Sequence, residues 1–286
     1  MKTFRHIAFL AGFAMLTSCN NYTKVLQSGS YEERYEVAKQ SYAQGNYNRA
    51  TILLQDVIAM FKGTDHAEES LYLLAMSAYK AKNYDAAGSY FKKYYESYPK
   101  GVYAEEAHFY VAMSLYNLTP VARLDQTDTY TAVTEFQKFL DAYPTSNLRK
   151  QAQDAIFELQ DKLVEKEYLT AKLYYDLGAY FGNCSSGGNN YQACIITAQN
   201  AIQDYPYTSL REDFAFLILK AKYDLATQSV LSKREERVQS AIDEYYGFLN
   251  EFPESKRLKE VDAIYKKLRP QVATATQDST TIGATR

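Results

Sequence analysis

Residues 67–79 read AEESLYLLAMSAY, and residues 104–116 read AEEAHFYVAMSLY. The two stretches lie 37 residues apart and agree at seven of thirteen positions. They share Ala-Glu-Glu, then Ala-Met-Ser, then Tyr. Tandem self-similarity at this period marks a repeat architecture, in which each unit buries its apolar face only against its neighbours.

A second pattern recurs outside that stretch. It runs small residue, apolar at +4, apolar at +7 and +8, aromatic at +11, then proline. Ala87, Phe91, Tyr94, Tyr95, Tyr98 and Pro99 carry it, and so do Ala132, Phe136, Phe139, Leu140, Tyr143 and Pro144. Ala241, Tyr245, Phe248, Leu249, Phe252 and Pro253 form another copy, and Cys194, Ala198, Ala201, Ile202, Tyr205 and Pro206 a version with smaller residues. Ala50, Leu54, Val57, Ile58 and Phe61 come first, with Lys62 in place of proline. The spacing lines up one apolar helix face. The small residue admits a close partner helix, and the proline ends the helix.

This pattern resembles the tetratricopeptide repeat, as do the short turns Gly45-Asn46-Tyr47 and Asn83-Tyr84. The expected fold is all-α: an α-solenoid of about five tetratricopeptide-like helical hairpins, closed by a capping helix at 255–268. Insertions at 118–129, 181–190 and 226–234 are expected as loops, where a rigid scaffold often carries its contacts. The Thr-, Ser- and Ala-rich tail after Pro270 is expected to be disordered.

The chain begins with Lys2, Arg5 and His6, an apolar run from Ile7 to Leu16, and then Thr17-Ser18-Cys19. That order is a secretory leader, too short to span a bilayer. Leu16-Thr17-Ser18-Cys19 resembles the bacterial lipobox, which implies cleavage before Cys19, a diacylglycerol thioether on its sulfur and an N-acyl chain. Two or more acyl chains anchor stably where one does not. Asn20 and Asn21 follow without an acidic cluster, which favours the periplasmic face of an outer membrane. Residues 20–30 are expected to be a polar tether of at most about 35–40 Å.

Of the 286 residues, 28 are Tyr and none is Trp. Tyrosine suits surfaces packed on one side and wet on the other. The formal net charge of −2 gives no reason to expect a nucleic-acid partner. The sequence contains no His-Glu-x-x-His, Cys-x-x-Cys, Gly-x-Ser-x-Gly or Walker motif, so no enzymatic activity, metal or cofactor is expected. His108 stands where the sibling copy has Leu71, which points to packing. Cys184 and Cys194 leave two readings open: a disulfide closing a short loop, worth up to roughly 3 kcal/mol, or a packed free thiol at Cys194 in a slot that other copies fill with Ala.

In a tetratricopeptide array the first helix of each hairpin lines the concave side. The 37-residue register then nominates Tyr35, Lys39 and Tyr42 in the first hairpin, Tyr72, Met76 and Tyr79 in the second, and Phe109, Met113 and Tyr116 in the third. An aromatic and methionine-lined groove of this kind suits an extended, apolar-rich peptide. The same rings could instead pack between helices.

The order of features resembles the BamD lipoproteins of outer-membrane β-barrel assembly. The resemblance runs through Phe136-Gln-Lys-Phe139-Leu140-Asp-Ala-Tyr143-Pro144 and Leu159-Gln-Asp-Lys-Leu163, and most telling are Glu167-Tyr168 and Ala171-Lys-Leu-Tyr174-Tyr175-Asp-Leu-Gly178-Ala179-Tyr180. The resemblance covers about residues 31–268. It implies a signal peptide at 1–18, a lipidated cysteine and tether at 19–30, a peptide-binding half at 31–147, a docking half at 148–268 and a tail at 269–286. It also implies partners: unfolded outer-membrane proteins with aromatic-rich targeting strands, a BamA-like barrel-forming subunit, and the inner leaflet of the outer membrane. The loops at 181–190 and 226–234 depart from the family and lie in the half expected to dock. The alternative class is another envelope tetratricopeptide protein, either a peptidoglycan or cell-division adaptor or a secretin pilotin.

Overall fold

A computed structural model of the chain describes residues 22–178, 180 and 189–283. Cys19, Cys184 and most of the 181–190 insertion lie outside the described residues. Among the described residues the chain is all-helical. Its elements are α1 (22–28), α2 (Tyr31–Ala43), α3 (Tyr47–Val57), α4 (Ala67–Lys80), α5 (Tyr84–Ser97), α6 (Ala104–Leu118), α7 (Thr127–Ala142), α8 (Arg149–Leu177), α9 (Asn190–Asp204), α10 (Arg211–Thr227), α11 (Leu231–Glu251) and α12 (Leu258–Gly283). Successive pairs from α2 to α11 make five hairpins, as the sequence pattern predicts.

The chain divides into two compact units. The first is the described part of Met1–Pro120 with Asp125–Leu159, and the second is Val121–Leu124 with the described part of Gln160–Arg286. The division falls inside α8, later than the expected boundary at 147/148. The small residues that anchor the repeat, Ala50, Ala87, Ala132, Cys194 and Ala241, are all 0% exposed. Each sits in its own apolar cluster, with Leu53 and Leu54, Phe91 and Tyr94, Phe136 and Phe139, Phe214 and Ile218, or Val238 and Phe248 respectively.

Four helices stop where the proline pattern predicts. Tyr98, Tyr143, Tyr205 and Phe252 each precede a proline and share one backbone conformation, with φ between −128° and −125° and ψ between 61° and 68°. The proline ring excludes the helical region for the residue before it, so the chain turns out at that point. A hydroxyl then organises the turn in three copies. Ser146, Thr208 and Ser255 accept hydrogen bonds from the backbone N–H of Leu148, Leu210 and Arg257.

The Ala-Glu-Glu signature acquires a structural reason. Its first glutamate, near the start of a hairpin, accepts a hydrogen bond from the turn that ends the same hairpin. Val102 N donates to Glu68 at 2.8 Å and Ser146 Oγ to Glu105 at 2.5 Å, and at the start of α10, where the sequence reads Arg211-Glu212-Asp213, Ser255 Oγ donates to Glu212 at 2.7 Å in the same way. The Tyr94 hydroxyl also donates to Glu68. Each carboxylate thus closes the open end of its hairpin with a charge-assisted bond.

Three expectations need correction. The expected tether contains α1: Tyr22, Val25 and Leu26 share one helix face, Tyr22 and Leu26 pack on the cluster around Leu53 and Leu54, and Val25 is buried. The 226–234 insertion is mostly helix, since strong helix formers such as Lys233, Arg234 and Glu235 lengthen α11 and leave only 228–230 as the connection. The final helix runs past 269 to Gly283 with Pro270 inside it. Proline's fixed φ is itself helical, so the ring forfeits a hydrogen bond without forbidding the helix.

Candidate binding surface

The nominated residues lie on α2, α4 and α6 of the first unit, and they divide by burial. Tyr35, Met76 and Phe109 are buried and serve packing, which takes them out of any contact surface. Tyr35 packs edge-on against Phe61, and Phe109 against Phe136 and Phe139. The reason is geometric: the row chosen from the register runs along the edge of the apolar stripe, and some of its members turn inward. Lys39, Tyr42, Tyr72, Tyr79, Met113 and Tyr116 remain half-exposed.

Around these lies a tyrosine cluster that the single row missed. Tyr110 of α6 meets Tyr79 at 4.8 Å between ring centroids and stacks on Phe91 at 5.3 Å. Tyr72 stacks on Tyr103 at 4.1 Å, and Tyr42 meets Tyr47 edge-on at 5.5 Å. Asn117 Nδ2 donates to the Tyr79 hydroxyl at 3.2 Å. The Tyr116 hydroxyl donates to Glu158. An amphipathic face is about 100° wide, so the neighbouring row at Glu106, Tyr110 and Asn117 belongs to the same surface. Helix width is the signal that would have found it.

The electrostatics follow the repeat. Glu69 and Glu106 are sibling positions, and each carboxylate faces a sibling tyrosine, Tyr35 and Tyr72 respectively. Burial first and the carboxylate second raise both phenols well above the ordinary range. Burial first, then Tyr47, Tyr110 and Glu106, raises Tyr42. Glu158 first and then burial push Tyr116 up to about 12. Every one of these phenols is therefore neutral near pH 7, a hydrogen-bond donor on an aromatic body. Lys39 Nζ meets Glu69 Oε1 at 3.0 Å and lies over the Tyr35 ring. The surface offers rings, hydroxyl donors and the carboxylates of Glu69 and Glu106, which suits an extended peptide with aromatic side chains and free backbone groups.

His108 does pack, as its sibling position predicts. It stacks on Tyr95 and touches Phe139 and Tyr143. Its Nε2 also lies 3.5 Å from Glu135 Oε1. Cys194 is a buried free thiol, and burial pushes it up to about 12. That matches the packed reading. Gly178 holds φ +50° directly beside the Tyr191 hydroxyl, where a Cβ would stand 2.6 Å away. Asn190 Nδ2 caps the same end of α8, donating to the carbonyls of Gly178 and Tyr180. In the second unit the large exposed apolar residues include Val230 and Leu231, side by side at the start of α11. Among the described residues no cluster of three His, Cys, Asp or Glu could hold a metal ion, and no helix is long and apolar enough to cross a membrane.

Fold and surface define an all-α repeat protein built from tetratricopeptide-like hairpins. The chain belongs to the YfiO family of outer membrane lipoproteins, whose model matches residues 27–187, more than half of the chain. No curated protein matches it. Among solved structures, a candidate protein-binding protein from Bacteroides ovatus ATCC 8483 aligns at 13% identity and TM-score 0.31, over 77% of this chain and 100% of that one. A computationally designed self-assembling cyclic homooligomer aligns at 14% identity and TM-score 0.18, over 96% of this chain and 99% of that one.

Proposed function

We propose that this protein is a non-catalytic scaffold of outer-membrane β-barrel assembly, held by lipidated Cys19 on the periplasmic face of the outer membrane. The first unit receives the aromatic-rich terminal strands of unfolded barrel proteins on the tyrosine surface of α2, α4 and α6. The second unit docks onto a BamA-like barrel-forming subunit. Membership of an outer membrane lipoprotein family is the observation that carries the reading. The half-exposed Tyr42, Tyr72, Tyr79 and Tyr110 support the substrate side. Exposed Val230 and Leu231 give the second unit an apolar contact. The role needs no cofactor beyond the acyl chains on Cys19.

Depletion followed by an outer-membrane proteome tests it. The expected outcome is a fall in β-barrel proteins, with lipoproteins largely retained. Unchanged barrel proteins would remove the assembly role. Recovery of a secretin or a cell-wall synthase after crosslinking in membranes would assign the scaffold to another envelope machine.

A further inference from the structure

The turns of the first two hairpins enclose a feature unrelated to the tyrosine surface. A cavity of about 460 Å³ opens between the α2–α3 turn and the end of α4, lined by Asn46, Tyr47, Arg49, Lys80 and Lys82 among others. Three of the lining residues are cations and none is acidic. Lys80 and Lys82 are exposed and form no ion pair among the described residues. The repeat does not require these charges: one register earlier Lys80 and Lys82 are replaced by Ala43 and Gly45. Lys82 even keeps its charge against a conformational cost. It holds φ +63° where Gly45 holds +78° freely, and that region costs a non-glycine residue on the order of 1 kcal/mol.

The position of the cavity says what it would meet. The Arg49 guanidinium lies over the Tyr22 ring, 5.1 Å from its centroid. Tyr22 opens α1, which packs on the first hairpin. Cys19 is three residues earlier, a span of at most about 11 Å. A membrane anchor on Cys19 therefore holds the cavity's edge close to the headgroup layer.

We propose that this cavity binds the phosphate of an anionic phospholipid headgroup and so fixes the first hairpin against the bilayer surface. The inference rests on the Cys19 anchor proposed above. Two ammonium groups and a guanidinium around a concave opening supply point charge and donors for phosphate oxygens. Such attraction is short-ranged at physiological ionic strength, so it acts only when the surface is within about 8 Å.

The test uses the full chain purified from cells in nonionic detergent, titrated calorimetrically with micelles doped with phosphatidylglycerol or phosphatidylcholine, or with free glycerol phosphate. Phosphatidylglycerol is expected to bind at least tenfold more tightly than phosphatidylcholine. Combining Lys80→Gln with Lys82→Gly should weaken that binding roughly thirtyfold, about fivefold per cation. Both positions are exposed and the glycine relieves the backbone, so the melting temperature should not fall. Equal binding of the two lipids, or an unchanged double variant, overturns the site. Free glycerol phosphate binding as tightly as the doped micelle would assign the cavity to a soluble phosphate and overturn the membrane role. The intact mass of the same preparation reads acylation of Cys19 separately, so failure of the anchor and failure of the cavity are told apart.

Discussion

Lys82 and Glu135 show how much a single residue settles here. Lys82 stands at a left-handed position that the preceding repeat fills with Gly45. Lys82→Gly should raise stability by about 1 kcal/mol, seen as a higher urea midpoint at constant slope. Glu135 is buried between His108 and Lys138, whose Nζ reaches its Oε2 at 2.9 Å. His108 first, and Lys138 against the opposing effect of burial, hold its carboxyl at about 2 rather than the ordinary 4.5. A depressed carboxyl stabilises the fold above its unfolded pKa, and that contribution is lost as pH falls from about 4.5 to about 2. With allowance for solvent screening it amounts to about 1–2 kcal/mol. Wild type should therefore exceed Glu135→Gln by that amount at pH 6, and the gap should close near pH 2. An equal gap at both pH values would make the effect one of packing.

The hairpin is the next scale up, and its integrity depends on the carboxylate that closes it. Ser146 has two roles at the turn after α7: its Oγ accepts from Leu148 N at 2.9 Å and donates to Glu105. Ser146→Ala removes both bonds and should cost about 1–2 kcal/mol in urea unfolding. Because the two groups form one bond, Ser146→Ala and Glu105→Gln should be non-additive by at least about 0.5 kcal/mol in a double-mutant cycle. Strict additivity would mean that the bond contributes nothing in solution. The Ala-Glu-Glu signature was legible as a repeat mark in the sequence, but its role was not, because the partner serine lies 41 residues away on another element.

For the whole molecule, the consequence of repetition is a surface that no single hairpin carries. Tyr42, Tyr72, Tyr79 and Tyr110 come from three different helices. Tyr42→Ala with Tyr116→Ala should weaken capture of an aromatic-rich barrel-terminal peptide about tenfold by fluorescence anisotropy. The helical circular dichroism should be unchanged, since both rings are only half-buried. Unchanged affinity would move the peptide site off this face.

Helix type, hairpin number and the four helix ends that precede a proline were determined by the sequence itself. A period of 3.6, a small residue at each crossing and a proline at four of the five exits are local constraints that act before any long-range contact forms. The buried anchors Ala50, Ala87, Ala132, Cys194 and Ala241 were legible for the same reason. Tertiary structure alone decided which aromatic residues face out. Tyr35 and Phe109 share the row of Tyr72, yet Phe61 covers the first and Phe136 and Phe139 the second. It also decided that residues 22–28 pack on the first hairpin as α1, and that Arg49, Lys80 and Lys82 share one cavity. Those outcomes depend on the side chains supplied by neighbouring helices, which no window along the chain contains.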